Sequence, residues 1–183
     1  MAMQPRDGVE LANLLYSACQ WERPVVMRYP RGSCPDFRMP DRLELIPPGK
    51  AEVVREGWEV QIWALGDMVP LALAAAEALA AGGLSVGVVN ARFVTPLDGE
   101  LLNAQARFAK VVATVENGVV AGGFGSAVTE HLTDAGYGGR LLRFGWPKEF
   151  VPHGTPATLM EEYGLTPAVI AAKISAAIEA RAQ

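Results

Sequence analysis

Two arginines three residues apart are the side chains of this chain best suited to chemistry: Arg28 and Arg31, in the run Arg28-Tyr29-Pro30-Arg31-Gly32. They directly follow the apolar run Pro24-Val25-Val26-Met27, which predicts a buried parallel strand. A guanidinium stays charged and presents a fork of donors matched to phosphate, so a pair of them at a strand end suits a doubly charged oxyanion. Pro30 stiffens the turn, and Gly32 would let backbone come close to a ligand. Ligands of open α/β sheets sit outside the carboxyl ends of strands, where this motif falls. The competing reading is that one or both arginines cap a loop or pair with a carboxylate.

The other reactive residue types form no complete catalytic set. Gly122-Gly123-Phe124-Gly125 lies between a strand and a helix, where backbone amides could surround a phosphate. It lacks the third Gly of a dinucleotide fingerprint, and close helix–strand packing is the better reading. Glu116, at a strand end, is either a general base or an ordinary turn carboxylate. His131 falls within a predicted helix, as a surface or half-buried residue. His153, in the irregular run Val151-Pro152-His153-Gly154-Thr155, could touch a ligand or a partner domain. No Ser, Cys or carboxylate is placed as its partner. Cys19 and Cys34 make no metal or redox spacing. Cys19 is expected to pack on a helix face, and Cys34 to be exposed in a loop. There is no HExxH, CxxC or Walker loop. The residues specify help in binding an anion, not chemistry carried out alone.

These side chains must be positioned by an alternation of helices and strands. Asp7 is the expected N-cap of a helix with the apolar face Leu11, Leu14, Leu15 and Ala18. Strand Val25–Met27 and the arginine motif follow. Residues 1–34 thus hold one helix and one strand, too little to close a core, and read as the end of a domain whose larger part lies upstream. Residues 35–50, punctuated by Pro35, Pro40, Pro47 and Pro48, read as a linker. A second domain, 51–183, opens with two strands around Glu56-Gly57-Trp58, which reads as a hairpin turn. A helix from about Val69 ends at Gly82-Gly83, and a strand Leu84–Asn90 follows. Arg92–Asp98 reads as a loop into a helix capped by Asp98. Lys110–Glu116 is a strand ending at Asn117-Gly118, and Leu141–Phe144 is a further short one. Two final helices start at Pro156 and Pro167. The expected fold is α/β: a mostly parallel sheet with one antiparallel edge strand, preceded by the helix–strand stub.

Half of the 183 residues are hydrophobic and a fifth are charged, so a sizeable core can form and disorder is not expected. A net charge of −4 with no basic stripe argues against a nucleic-acid binder. No apolar run is long enough to span a membrane, and the N-terminal residues do not read as a signal peptide. Cysteine usage fits a reduced, cytoplasmic protein.

Four motifs occur in order: Arg28-Tyr29-Pro30-Arg31-Gly32; Asn90-Ala91-Arg92-Phe93-Val94-Thr95-Pro96-Leu97-Asp98; Ala121-Gly122-Gly123-Phe124-Gly125-Ser126-Ala127-Val128; and Phe150-Val151-Pro152-His153-Gly154. In this arrangement the chain resembles, over essentially its whole length, the C-terminal part of the 1-deoxy-D-xylulose-5-phosphate synthases, transketolase-like enzymes. The resemblance implies a transferase that joins pyruvate to glyceraldehyde 3-phosphate with loss of carbon dioxide. It implies thiamine diphosphate and magnesium as cofactors, a homodimer, and a product that feeds isoprenoid, thiamine and pyridoxal synthesis. In that family a first domain binds diphosphate and metal through a GDG…N motif, and a second holds the thiamine pyrimidine and its activating Glu. Neither motif is found here, so no catalytic, cofactor-binding or metal-binding residue maps onto this chain. Residues 1–34 would end the pyrimidine domain, and 51–183 would be the transketolase C-terminal-like domain.

The resemblance implies one substrate contact. Arg31, the second Arg of the RYPRG motif, matches the residue that holds the phosphate of glyceraldehyde 3-phosphate, and Arg28 would support it. The family usually reads Val-Glu-Glu-Asn where this chain has Val115-Glu116-Asn117-Gly118, so no role carries over to Glu116. The chain alone would be inactive without the N-terminal portion of the enzyme as its partner. The alternatives are the C-terminal part of a transketolase or of a 2-oxoacid dehydrogenase β subunit, and a stand-alone, non-catalytic binding or assembly domain.

Overall fold

The computed structural model describes residues 1–32, 34 and 37–180; Pro35 of the expected linker lies outside the described residues. The chain begins with β1 (Ala2–Met3), α1 (Gly8–Gln20) and β2 (Val26–Met27). An irregular stretch leads to β3 (Glu52–Arg55), β4 (Val60–Ala64), a 3-10 turn (Gly66–Met68) and α2 (Val69–Ala81). Then come β5 (Val86–Asn90), β6 (Phe93–Thr95), α3 (Gly99–Ala106) and β7 (Val111–Val119). The remaining elements are α4 (Phe124–Asp134), β8 (Arg140–Trp146), α5 (Pro156–Glu162) and α6 (Pro167–Glu179).

Local chemistry accounts for most boundaries. The Asp7 carboxylate accepts from the Glu10 amide at 2.8 Å and Asp98 from the Leu101 amide at 3.2 Å, each satisfying a helix donor that has no partner inside its helix. Gly82 caps α2, and Gly83 follows at φ 89°. Pro156 and Pro167 stand in the first turns of α5 and α6, where the missing N–H costs nothing.

The main sheet has the order β3-β5-β4-β7-β8; β4 is parallel to β5 and β7, β7 is parallel to β8, and β3 is the antiparallel edge. Side chains of a strand alternate between faces, and both faces here are covered. Val60, Ile62 and Ala64 of β4 pack with α2 and α6, whereas Trp63 packs with α3 and α4.

The expected hairpin is corrected: β3 does not pair with β4, because β5 lies between them. The all-buried β5 needs a neighbour on each edge. The link from β3 to β4 passes close to the start of β5 at Gly57, where a Cβ would stand 2.1 Å from the Gly87 nitrogen. Gln61 donates to the Gly57 carbonyl at 2.6 Å and pins that crossing.

A second sheet, β2-β1-β6, joins the chain start to the middle of the sequence. Neither β1 nor β6 was expected; each is only two or three residues long, and the pair is antiparallel across some ninety positions. β2 is parallel to its neighbour, the sense expected of it, but it is an edge and not a buried strand, with Val26 67% exposed. Asn117 and Gly118 do not end β7; they lie within it.

The helix α1 buries Leu14 and packs Ala18 as expected, but its buried face is rotated toward polar residues and leaves Leu15 outside. Glu10, Asn13, Leu14 and Ser17 are buried, while Leu15 and Cys19 are exposed. The buried polar groups have partners. Asn13 Oδ1 accepts from the Glu44 amide at 3.0 Å, and Ser17 Oγ accepts from the Ile46 amide at 2.8 Å. Glu10 Oε1 accepts from Arg92 Nε at 2.7 Å and from Asn90 Nδ2 at 2.7 Å. Arg92 also reaches Glu52 at 2.9 Å, and Arg6 meets the same Glu52 oxygen at 3.1 Å.

Removing Arg92 leaves the Glu10 charge buried without its ion partner, which costs about 3–5 kcal/mol. Arg92→Ala is therefore expected to lower the urea midpoint sharply, and replacing both Glu10 and Arg92 by apolar residues to cost less than Arg92→Ala alone. Equal losses in the two variants would contradict this account.

Candidate functional site

The sheet order marks a place for a ligand. From β4 the chain moves to β5 on one side and later to β7 on the other, so the strand order reverses between β4 and β7. Crevices outside the carboxyl ends of such strands are the usual ligand sites of open α/β sheets. Past the last β4–β7 pair, Ala64 with Val115, come Gly66-Asp67 on one side and Glu116-Asn117 on the other. Here the crevice is entered by the chain's own N-terminal segment. Gln4 Nε2 donates to Asp67 Oδ1 at 2.6 Å, and Asn117 Nδ2 donates to Asp67 Oδ2 at 2.8 Å. Asn117 Oδ1 in turn accepts from Trp146 Nε1 at 2.8 Å. A hydrogen-bonded line thus runs from β8 through β7 and the turn after β4 to the end of β1.

The two arginines face different spaces. Arg31 lines a cavity of about 580 Å³ together with Arg6, Asp7, Tyr29 and Asp67. Arg28 turns the other way and donates to the Asn117 carbonyl. It lines a second hollow of about 400 Å³ beside Gln4 and Glu116. Among the described residues Arg31 has no ion pair, whereas Arg6 spends its charge on Asp7 and Glu52. Among the described residues nothing lies within 4 Å of where a Gly32 Cβ would stand, so the space beside that backbone is open.

Glu116 is not an exposed turn carboxylate. It is 4% exposed and accepts from the Phe124 amide at 2.9 Å and the Gly125 amide at 2.7 Å. The glycine-rich turn therefore does cradle an anion, and that anion is the chain's own carboxylate. Burial raises the Glu116 carboxyl above its ordinary range, partly offset by those two amides and by the charges of Arg28 and Arg143. His131 Nε2 lies 3.0 Å from Asn103 Oδ1, joining α4 to α3. His153 is exposed in the loop after β8, and Cys34 is exposed as expected. Among the described residues no group of three or more His, Cys, Asp or Glu side chains could hold a metal ion.

The residues that the sequence reading missed are Asp67, Asn117 and Gln4. The signal for Asp67 was an acidic residue beside a Gly directly after an apolar strand. Nothing local marks Gln4, whose partner is 63 residues away.

A family model described as transketolase, C-terminal domain, matches residues 49–170. The chain is 45% identical over 174 residues to a 1-deoxy-D-xylulose-5-phosphate synthase of Syntrophotalea carbinolica, covering 95% of this chain and 27% of that protein. It is 47% identical over 165 residues to the synthase of Pelotomaculum thermopropionicum, covering 90% of this chain and 26% of that protein. The chain thus spans about a quarter of the length of these relatives. Among solved structures, a split-gene transketolase described as an inactive β4 tetramer superposes with a TM-score of 0.87 at 35% identity, covering 97% of this chain and 57% of that one. A transketolase of Campylobacter jejuni shares the fold at 19% identity, with a TM-score of 0.68 over 96% of this chain and 26% of its own.

A carboxyl whose native pKa lies above its ordinary value of 4.5 binds its proton more tightly when folded. Its contribution to stability is full below that value and declines as pH rises through the native pKa. Glu116→Gln leaves one of the two amides unpaired, a loss of about 1–3 kcal/mol. The stability gap between the two proteins, measured by urea unfolding between about pH 4 and about pH 7, is expected to narrow as pH rises. A gap that widens would mean that the ionised form is the one the fold prefers.

Proposed function

This chain belongs to the transketolase C-terminal domain family, and we propose that it is the C-terminal portion of a 1-deoxy-D-xylulose-5-phosphate synthase. The observation that carries the proposal is the reach of the similarity. The family model covers 49–170, whereas the likeness to the synthases covers 90–95% of the chain and takes in the segment that bears Arg31. In this reading the complete enzyme condenses pyruvate with glyceraldehyde 3-phosphate and releases carbon dioxide, supplying isoprenoid, thiamine and pyridoxal synthesis.

Arg31 binds the phosphate of the aldehyde. Its support is a guanidinium without an ion pair among the described residues, opening on a cavity large enough for a small phosphorylated sugar. Arg28 holds the arginine loop against the end of β7 through the Asn117 carbonyl. Residues 1–34 complete the pyrimidine-binding domain, 35–50 are the linker, and 51–183 scaffold the enzyme and bury subunit surface in a homodimer. Thiamine diphosphate and magnesium would be held by parts of the complete enzyme outside this chain. No helix among the described residues is long and apolar enough to cross a membrane, and the proposed location is the cytoplasm. Leu15, Val26 and Tyr29 on and near α1 and β2 are 58%, 67% and 61% exposed, surface that the N-terminal portion would cover.

One observation favours a second reading. The likeness to the split-gene transketolase fits a chain that works beside a separately encoded partner and acts on ketose donors. Assays of the complete protein with ketose donors against pyruvate separate the two.

In the complete enzyme, Arg31→Ala is expected to raise KM for the phosphorylated aldehyde about ten- to a hundredfold and leave KM for pyruvate nearly unchanged. Equal changes in both constants would remove Arg31 from the phosphate site. The 183-residue chain alone, given thiamine diphosphate and magnesium, should release no carbon dioxide from pyruvate. Sustained release would overturn the division of labour proposed here.

A further inference from the structure

We propose that Asp67 is a specificity-determining residue of the Arg31 cavity: it accepts a hydrogen bond from a hydroxyl of a phosphomonoester and repels a second phosphate group. The inference rests on the reading of Arg31 as the phosphate site and adds a residue from the other part of the chain.

Asp67 and Arg31 line the same cavity but make no ion pair with each other or with any other described residue. The other charges on that wall, Arg6 and Asp7, pair with each other at 3.0 Å. The cavity therefore has one uncompensated positive pole and one uncompensated negative pole. Pro5, Leu11, Tyr29 and Pro30 supply the apolar part of the cavity lining.

The carboxylate of Asp67 is held in place. The Gln4 and Asn117 amides fix one oxygen each, at 2.6 and 2.8 Å. Both donors are neutral, so they orient the group without cancelling its charge. Asn117 is itself fixed by Trp146, and the Gln4 backbone nitrogen donates to the Arg92 carbonyl at 2.8 Å. Gly66, at φ 59°, turns the chain so that the Gln4 side chain packs where a Cβ would stand. Each Asp67 oxygen keeps a second lone pair for a ligand donor. A ligand that presents phosphate to Arg31 and a hydroxyl to Asp67 satisfies both poles. A bisphosphate would set its second anion beside a carboxylate that cannot turn away, and specificity would come from that repulsion.

The test is an NMR titration of the 183-residue chain with glycerol 3-phosphate, ethyl phosphate and propane-1,3-diyl bisphosphate. The wild type, Asp67→Asn, Asp67→Ala and Arg31→Ala are compared, each checked for folding by its amide spectrum. The wild type is expected to bind glycerol 3-phosphate about tenfold more tightly than ethyl phosphate, as for one hydrogen bond to a charged group. Both Asp67 variants should lose that preference, keep ethyl phosphate and gain the bisphosphate; Arg31→Ala should lose all three. If the preference persists in whichever Asp67 variant folds, or is absent from the wild type while Arg31→Ala still abolishes phosphate binding, the role of Asp67 falls and that of Arg31 stands. If the wild type shows no phosphate-induced shifts at the arginine loop, both fall.

Discussion

Glu10 lies on the buried face of α1, and the charge it carries there is answered from 82 positions away by Arg92 at 2.7 Å. The backbone at Arg92 is left-handed, with φ 58°, a conformation uncommon for a side chain of this size. It stands in the two-residue link between β5 and β6 and aims the guanidinium back at α1 and β3. Asn90, fully buried, adds a second donor to the same Glu10 oxygen. Asn13 and Ser17 of the same face meet the 44–46 backbone, so this pairing is what joins the charged part of α1 to the end of β5 and to β3. A buried charge pair contributes little net stability beyond what its own desolvation costs, but it tolerates few alternative arrangements. Its service here is to fix where the first thirty residues sit.

That fixed placement explains why the crevice at the strand-order reversal is not open. Gln4 and Arg28, both from the N-terminal segment, occupy the ends of β4 and β7, and Glu116 takes up two amide donors at the start of α4. The feature that would bind a ligand in an open α/β sheet serves here as a socket for another part of the same chain. The space left over lies to one side, where the turn after β4 and the arginine loop meet. The C-terminal domain is therefore more than a scaffold in this reading, because it supplies one wall of the cavity and the anchor of the loop opposite.

What the sequence by itself determined is mostly local. Asp7, Asp98 and the paired Gly82-Gly83 mark helix ends because caps act between residues a few positions apart. The apolar runs at β4, β5 and β7 mark strands buried on both faces, and the order of helices and strands implies a parallel sheet. The arginine pair stood out for a like reason, since two guanidiniums at a strand end suggest anion binding without a partner in view; the folded chain gives one of them, Arg28, to the Asn117 carbonyl. Only the tertiary structure decided the rest. Whether β3 pairs with β4 or β5 depends on which strand has a free edge once the helices have packed. How far the buried face of α1 turns toward Glu10, Asn13 and Ser17 depends on Asn90, Arg92 and the 44–46 backbone, so Leu14 was placed correctly and Leu15 was not. Glu116 became a cap and Asp67 a cavity wall through partners that periodicity cannot see. A pairing across eighty residues leaves no trace in local spacing; it exists only when the folded chain brings both groups out of water together.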